Sequence, residues 1–335
     1  MSLTLNEELE RFYSEKFYFS YSSINKLLYS PRAFYNHYIL KQKEDSTDAH
    51  LVVGKALHCL LLEPDNFDDY FVMLPGKIPT ESNKVILDNI FQKHYLPMNN
   101  NSLTLEDFSQ DILNQLLANN LYQSLKTDAQ RLEKLITDNN KEYFEFLKTK
   151  ESKTVIDSAI KAQVDVSVEV LKANSVVMSL LQLDNDSPGT SVFTELKLQT
   201  NSTNFPFGYK GILDNVVIDE NSKTVFVNDL KTTNKAIQDF PNAVDYYRYD
   251  IQAVIYNILI YDEFIKNKPS PEEWKIIFTF IVIDKFNLVY PFQVSEQTLA
   301  NWEASFYDVI QKIDYHYGHR DYNLPYELAV GNVKL

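Results

Sequence analysis

Two apolar runs only five residues apart, 207–218 (FGYKGILDNVVI) and 224–230 (TVFVNDL), constrain the fold more than any other feature. Each alternates in the period-two manner of a β-strand. The connection between them, Asp219-Glu220-Asn221-Ser222-Lys223, is polar and short, which suits an antiparallel pair. Residues 191–199 (SVFTELKLQ) alternate in the same way. Two further strands, 274–283 (WKIIFTFIVI) and 286–294 (FNLVYPFQV), flank Asp284-Lys285. Pro188 marks the change of character, because the chain before it reads as helix. Residues 20–40 predict two short helices, with a Ser-rich cap and a restart at Pro31. Residues 50–62 predict a helix closed by Pro64, and 153–182 one or two amphipathic helices within a helical 104–182. Helix returns over 240–266, after Pro241, and again over about 295–317. The expected fold class is α/β, a mixed sheet inside helices with a helical N-terminal half. No repeat and no Pro/Gly/Ser linker divides the chain, so 1–335 is expected to be a single domain. Within it, 20–75 form N-terminal helices, 76–150 a helical insertion, 190–295 the sheet with its helix, and 295–335 a C-terminal helix and tail.

Composition excludes several classes. With 44% apolar and 13% aromatic residues the chain has a core to bury and is not globally disordered. Its single cysteine, Cys59, permits neither an internal disulfide nor a zinc knuckle nor a four-cysteine iron–sulfur cluster. No apolar stretch approaches the roughly 20 residues of a membrane helix. The acidic start MSLTLNEELERF lacks the order of a secretion signal. The expectation is a soluble, cytoplasmic protein with no membrane partner. A net charge of −14 argues at first sight against nucleic-acid binding. The acidity is uneven, however. Residues 61–190 hold 12 basic against 20 acidic side chains, whereas 1–60 are neutral and 191–260 hold six against eight.

Asp214 and Asp229 occupy related places on neighbouring strands, so a hairpin brings them toward one edge of the sheet. Close carboxylates repel unless a cation or a shared proton lies between them. Hard oxygen ligands favour Mg²⁺ or Mn²⁺. Lys231, two positions after Asp229, projects to the same strand face. A lysine there can orient water and offset charge building on a phosphate. An isolated Asp-x-Lys is mostly a surface ion pair of small value, so the neighbours decide. Gln252 and Tyr256, four apart, share one helical face, with Tyr249 three residues before Gln252. His58 follows two small residues, Gly54 and Ala56, on an apolar helix.

Taken in order, Gly54-x-Ala56-x-His58, Gly211-x-x-Asp214, Asp229-Leu230-Lys231-Thr232-Thr233 and Gln252-x-x-x-Tyr256 resemble the PD-(D/E)XK nuclease superfamily. Within it the pattern is most similar to the RecB/RecE-like exonuclease branch, of the phage exodeoxyribonuclease VIII type. The opening Ser22-Ser23-Ile24-Asn25-Lys26-Leu27 with Pro31 and Phe34, and Pro64-Asp65-x-Phe67, are similar to that group's N-terminal helices. The resemblance covers about a third of the chain, most of 20–75 and 191–260. It implies a restriction-endonuclease-like mixed sheet flanked by helices, binding one or two Mg²⁺ or Mn²⁺ ions. It implies Asp214, Asp229, the Leu230 carbonyl and His58 as ligands, with Glu195 as an additional acidic residue. Lys231 is then the motif lysine, and Gln252 and Tyr256 the downstream pair that supports the site. Asp229 stands where glutamate is the commoner choice.

The expected activity is a metal-dependent exodeoxyribonuclease acting on DNA, at duplex ends or on a single strand, in phage-type recombination. A single-strand annealing protein and further copies of the chain are the expected partners, in a bacterial or phage-encoded setting. Lys26, Arg32, Lys55, Lys210, Lys235 and Arg248, which flank the motifs, are candidate contacts to the DNA backbone. The alternatives are an endonuclease or defence nuclease of a mobile element, and a catalytically silent nucleic-acid-binding protein of the same fold.

Overall fold

The computed structural model describes residues 5–42, 49–98, 100–150, 152–185 and 187–331. They contain eight strands: β1 Tyr18–Phe19, β2 Phe71–Met73, β3 Thr154–Ile156, β4 Thr190–Asn201, β5 Gly208–Asp219, β6 Thr224–Thr233, β7 Lys275–Asp284 and β8 Val289–Gln293. The alternating runs read from sequence are β4 to β8. The last strand starts later than its pattern predicts. The Asp284 carboxylate accepts hydrogen bonds from the Phe286 and Leu288 amides (2.8 and 2.9 Å), and this lengthens the turn.

Two compact units make up the chain. One comprises residues 1–48, 61–63 and 166–335, the other 49–60 and 64–165. The first holds the mixed six-stranded sheet, in the order β1-β5-β6-β7-β8 with β4 on β5. β4 runs antiparallel to β5 along its whole length, from Thr190↔Asp219 to Asn201↔Gly208. The other edge of β5 is therefore shared. β1 pairs with it in parallel at Gly208 and Tyr209, and β6 antiparallel from Asn215 to Asp219. Over residues 210–213 no described strand pairs with that edge. β6 continues alongside β7 in parallel as far as Thr233↔Asp284. The core of this unit packs Leu213, Val216, Val225, Val227, Phe278 and Phe280 of the sheet against Ile251, Ile255 and Leu259 of the helix Tyr249–Ile260. That helix is apolar nearly all round, as a helix buried on several sides must be.

The second unit is mostly helical and has a core of its own, including Ile86, Leu87, Phe91, Phe108, Ile112 and Phe144. β2 and β3 pair in parallel within it. Residues 153–157, expected as helix, are therefore partly strand. Thr154-Val155-Ile156 is a β-branched run that finds a partner in β2. The helix Ser158–Ala173 starts only where the Asp157 carboxylate accepts the Ile160 amide (2.7 Å). The helix Ser175–Leu181 follows, capped by Asn174. Among the described residues, no helix is long and apolar enough to cross a membrane.

Candidate active site

The edge of β5 between its two partners is where Asp214, Asp229, Lys231, Gln252 and Tyr256 meet. β5 and β6 keep their ladder up to the pair Asn215↔Asn228 and then part. The next position on β5 is Asp214, and the next on β6 is Asp229. Beyond the split the Asp214 carboxylate replaces the missing backbone partner, accepting the Leu230 amide at 2.7 Å. Charge-assisted bonds of this kind are about twice as strong as neutral ones. Asp229 is fully buried; its Oδ1 accepts from Gln252 Nε2 at 2.8 Å, and its Oδ2 lies 2.5 Å from Lys231 Nζ. The strand parity that puts Asp229 and Lys231 on one face thus yields a buried ion pair. A Lys231 ammonium isolated at this depth would lose its proton more readily. The Asp229 and then the Asp214 carboxylates outweigh that desolvation and hold its pKa above the ordinary 10.5. Its charge also stands 4.8 Å over the Tyr249 ring.

The helix Tyr249–Ile260 reaches the split through two side chains one turn apart. Gln252 Nε2 also donates to the Tyr256 hydroxyl (3.0 Å), and that hydroxyl donates to the Ile212 carbonyl (2.6 Å) on the open edge of β5. Burial first, then the Asp229 and Asp214 charges, push the Tyr256 phenol well above its ordinary 10.0, so it stays a neutral donor. Gly211 makes this approach possible. A Cβ there would lie 2.7 Å from Tyr256 Cε1 and 3.1 Å from Leu259 Cδ1.

Glu195 has an unusual backbone for a residue inside a strand. Its φ of 47° lies in the left-handed region, which costs a non-glycine residue about 1–3 kcal/mol. It marks a reversal of the sheet. In β5 the core-facing residues pass from Tyr209 and Leu213 to Val216 and Ile218, and in β4 from Phe193 to Leu196 and Leu198. Pairing remains in register across the change, from Leu196↔Leu213 to Thr194↔Asn215. Both strands therefore turn over together at Glu195 and Asp214, whose carboxylate oxygens come within 4.8 Å of each other.

Three carboxylates against one ammonium leave this cluster net negative. Its donors are hard oxygens, the set that suits Mg²⁺ or Mn²⁺ and not a soft metal. The residues present therefore fit a divalent ion. His58 stands half-buried on the helix Ala49–Leu62 and belongs, with Lys55, to the second unit.

Of the other nominated cations, Lys210 lines a cleft beside Gln252 and Tyr256. Arg248 Nη1 donates to Asn25 Oδ1 at 2.8 Å. Arg32 lies 5.1 Å from the centre of the Tyr35 ring, and Lys235 6.0 Å from that of Tyr246. Lys26 is in the last turn of the helix Tyr21–Tyr29.

Sequence reading missed one part of the support. Asn215 and Asn228, both buried, pair across the strands directly behind the two aspartates. Asn228 Nδ2 donates to Asn215 Oδ1 (2.7 Å) and to the Leu180 carbonyl (2.9 Å), and Asn215 Nδ2 to the Leu181 carbonyl (2.9 Å). The bond pins the end of the helix Ser175–Leu181 to the sheet and fixes where the strands separate. The signal was an asparagine in the apolar centre of each of two adjacent strands, a placement that needs buried partners.

No curated protein matches the chain significantly. Among solved structures, a protein from Eubacterium rectale described as a candidate exonuclease is 12% identical, with a TM-score of 0.46 over 93% of this chain and 86% of that one. A likeness so remote carries nothing about activity. The family model of the PD-(D/E)XK nuclease superfamily, by contrast, matches residues 18–323. Over almost the whole of its length, the chain belongs to the PD-(D/E)XK nuclease superfamily.

Proposed function

We propose that the protein is a metal-dependent exodeoxyribonuclease that hydrolyses phosphodiester bonds from the ends of duplex DNA. The observation that supports this most is the parting of β5 and β6 at Asp214 and Asp229, with Lys231 paired to Asp229. Asp214, Asp229 and Glu195 would hold one or two divalent ions, Mg²⁺ or Mn²⁺, with the Leu230 carbonyl. The order of the sequence motifs supports His58 as a further ligand. When bound, a divalent ion supplies positive charge at the phosphate and acidifies water.

The chain's own residues do the rest. Lys231 orients the attacking water and offsets charge that grows on the phosphate oxygens. Gln252 holds the Asp229 carboxylate in one orientation. Tyr256 fixes the open edge of β5 through the Ile212 carbonyl. In-line attack forms a bond from the water oxygen to phosphorus as the bond to the 3′ oxygen breaks. The products are a 5′-phosphate and a 3′-hydroxyl. A role beside an annealing protein in phage-type recombination, and a ring of several copies, follow from likeness to the RecE-like branch.

The test is digestion of end-labelled linear duplex and of closed circular duplex with Mg²⁺, Mn²⁺ or EDTA. The expected result is metal-dependent release of nucleotides from the linear form alone. Equal cutting of the circle would make the protein an endonuclease, and no cutting of either would leave a silent binding protein.

A further inference from the structure

The edge of β5 left without a strand partner over residues 210–213 opens onto a cleft of about 600 Å³. One wall is the start of the helix Tyr21–Tyr29 (Ser20, Tyr21 and Ser22), and the floor includes Gln252 and Tyr256. The remaining wall is made by β4 and β5 and carries Lys197 and Lys210. We propose that this cleft is a phosphate-binding subsite, in which Lys197 and Lys210 grip a DNA strand running to the carboxylate cluster. The proposal rests on the nuclease reading above and adds to it the path of the substrate.

Three observations carry it. The first is charge placement. Register pairs Lys197 with Ile212 and Gln199 with Lys210. The two lysines are therefore diagonal neighbours on the exposed face, while Leu196, Leu198, Tyr209 and Leu213 turn toward the core. Like charges about 7–8 Å apart on one sheet face repel, and an anion between them removes the penalty.

The second is that, among the described residues, no carboxylate pairs with Lys197 or Lys210, although the chain holds 46 acidic against 32 basic residues. Lys210 Nζ stands 6.0 Å from the centre of the Phe17 ring, a contact that leaves its charge uncompensated.

The third is Gln252. It is more than nine-tenths buried and lines the same cleft, and its Oε1 has no hydrogen-bond partner. An orphan acceptor at that depth is destabilising unless an occupant brings a donor. A nucleotide carries both complements: anionic oxygens for the lysines, and N–H or O–H donors on base or sugar for the amide. The cleft also leads to the right place, because Gln252 bonds Asp229 directly. Lys210 is four residues along β5 from Asp214, about 13 Å. It would hold a phosphate flanking the one that is cut.

The test is binding of a fluorescein-labelled 20-nucleotide single-stranded DNA to the full chain in EDTA, across 50–300 mM KCl. The proteins compared are wild type, the double variant Lys197→Ala/Lys210→Ala, and Lys197→Arg/Lys210→Arg, each first shown to melt at the wild-type temperature. Wild type is expected to bind with a steep salt dependence. The double alanine variant is expected to bind at least about 10-fold more weakly at 50 mM KCl, with a log–log salt slope shallower by about 1.4, or 0.7 for each lost phosphate contact. The arginine variant should keep both affinity and slope. A double alanine variant with wild-type affinity and slope, in a protein that does bind DNA, overturns the subsite and leaves the nuclease reading standing. A wild-type protein that neither binds nor digests DNA overturns both.

Discussion

Gly211 shows how much a single methyl group can decide in this site. A side chain at that position would meet the Tyr256 ring at 2.7 Å, in a region already filled by Leu259. Gly211→Ala should therefore push the ring aside, weaken its bond to the Ile212 carbonyl, and cost about 1–3 kcal/mol by overpacking. Urea unfolding measures this, and an unchanged midpoint would mean that Tyr256 does not pack against the strand. Tyr256→Phe is the complementary change. It keeps the ring and removes the donor, leaving the Ile212 carbonyl unpaired at a cost of about 1–3 kcal/mol. At this scale part of the arrangement is legible in the sequence. Strand parity places Asp229 and Lys231 on one face, and helical spacing places Gln252 and Tyr256 on one face. Their grouping with Asp214 comes from a motif order that resembles the nuclease superfamily. Their meeting needs only that two strands and one helix be regular. The reversal at Glu195 was not legible, because a left-handed residue inside a strand is imposed by its pairing with a partner strand and by packing, and leaves no local pattern.

The elements explain why the strands part where they do. The buried amide pair Asn215–Asn228 bonds the last carbonyls of the helix Ser175–Leu181 and closes the ladder immediately before the aspartates. Asn228→Leu would strand Asn215 Oδ1 and the Leu180 carbonyl, each at about 1–3 kcal/mol. The expected outcome is a lower urea midpoint, together with a several-fold rise in the Mn²⁺ concentration that half-saturates activity. A variant equal to wild type on both counts would show that the pair supports neither the fold nor the site. The long strands were legible because each lies in an apolar or alternating run of seven or more residues. The short ones were not. β1 has two residues and β2 and β3 three each, too few for a period to register, and their pairing depends on partners far away in sequence. The open edge of β5, and with it the cleft, exists because β1 is that short and β6 leaves β5 at Asn215.

The whole molecule is acidic, yet its response to acid should depend on one histidine in particular. His316 is buried near the end of the long helix Glu296–His319, with its Nδ1 2.6 Å from the Asp321 carbonyl. Burial is the largest influence and lowers its pKa below the ordinary 6.5, against the opposing pull of the Asp321 carbonyl and the nearby Asp321 and Glu327 charges. The folded state therefore binds this proton less readily than the unfolded chain. Its contribution to stability is complete above about pH 6.5 and is lost as pH falls below that value. Thermal melts at pH 7.5 and 5.5 should show a smaller acid-induced drop for His316→Phe than for wild type, and an equal drop would remove His316 as the cause. The large-scale division into two units was not legible, because no linker composition announces it and the second unit builds its core from ordinary amphipathic helices. Its helical character was legible, apart from the strands at Phe71–Met73 and Thr154–Ile156. The central claim is that Asp214, Asp229 and Lys231 act together on a phosphodiester bond. Its most direct test is Mn²⁺-dependent release of acid-soluble nucleotide from linear duplex DNA by wild type, Asp214→Asn, Asp229→Asn and Lys231→Ala. Release by wild type with at least about 100-fold less from each variant, all of them folded, is the predicted result; a variant that digests DNA at the wild-type rate would contradict it.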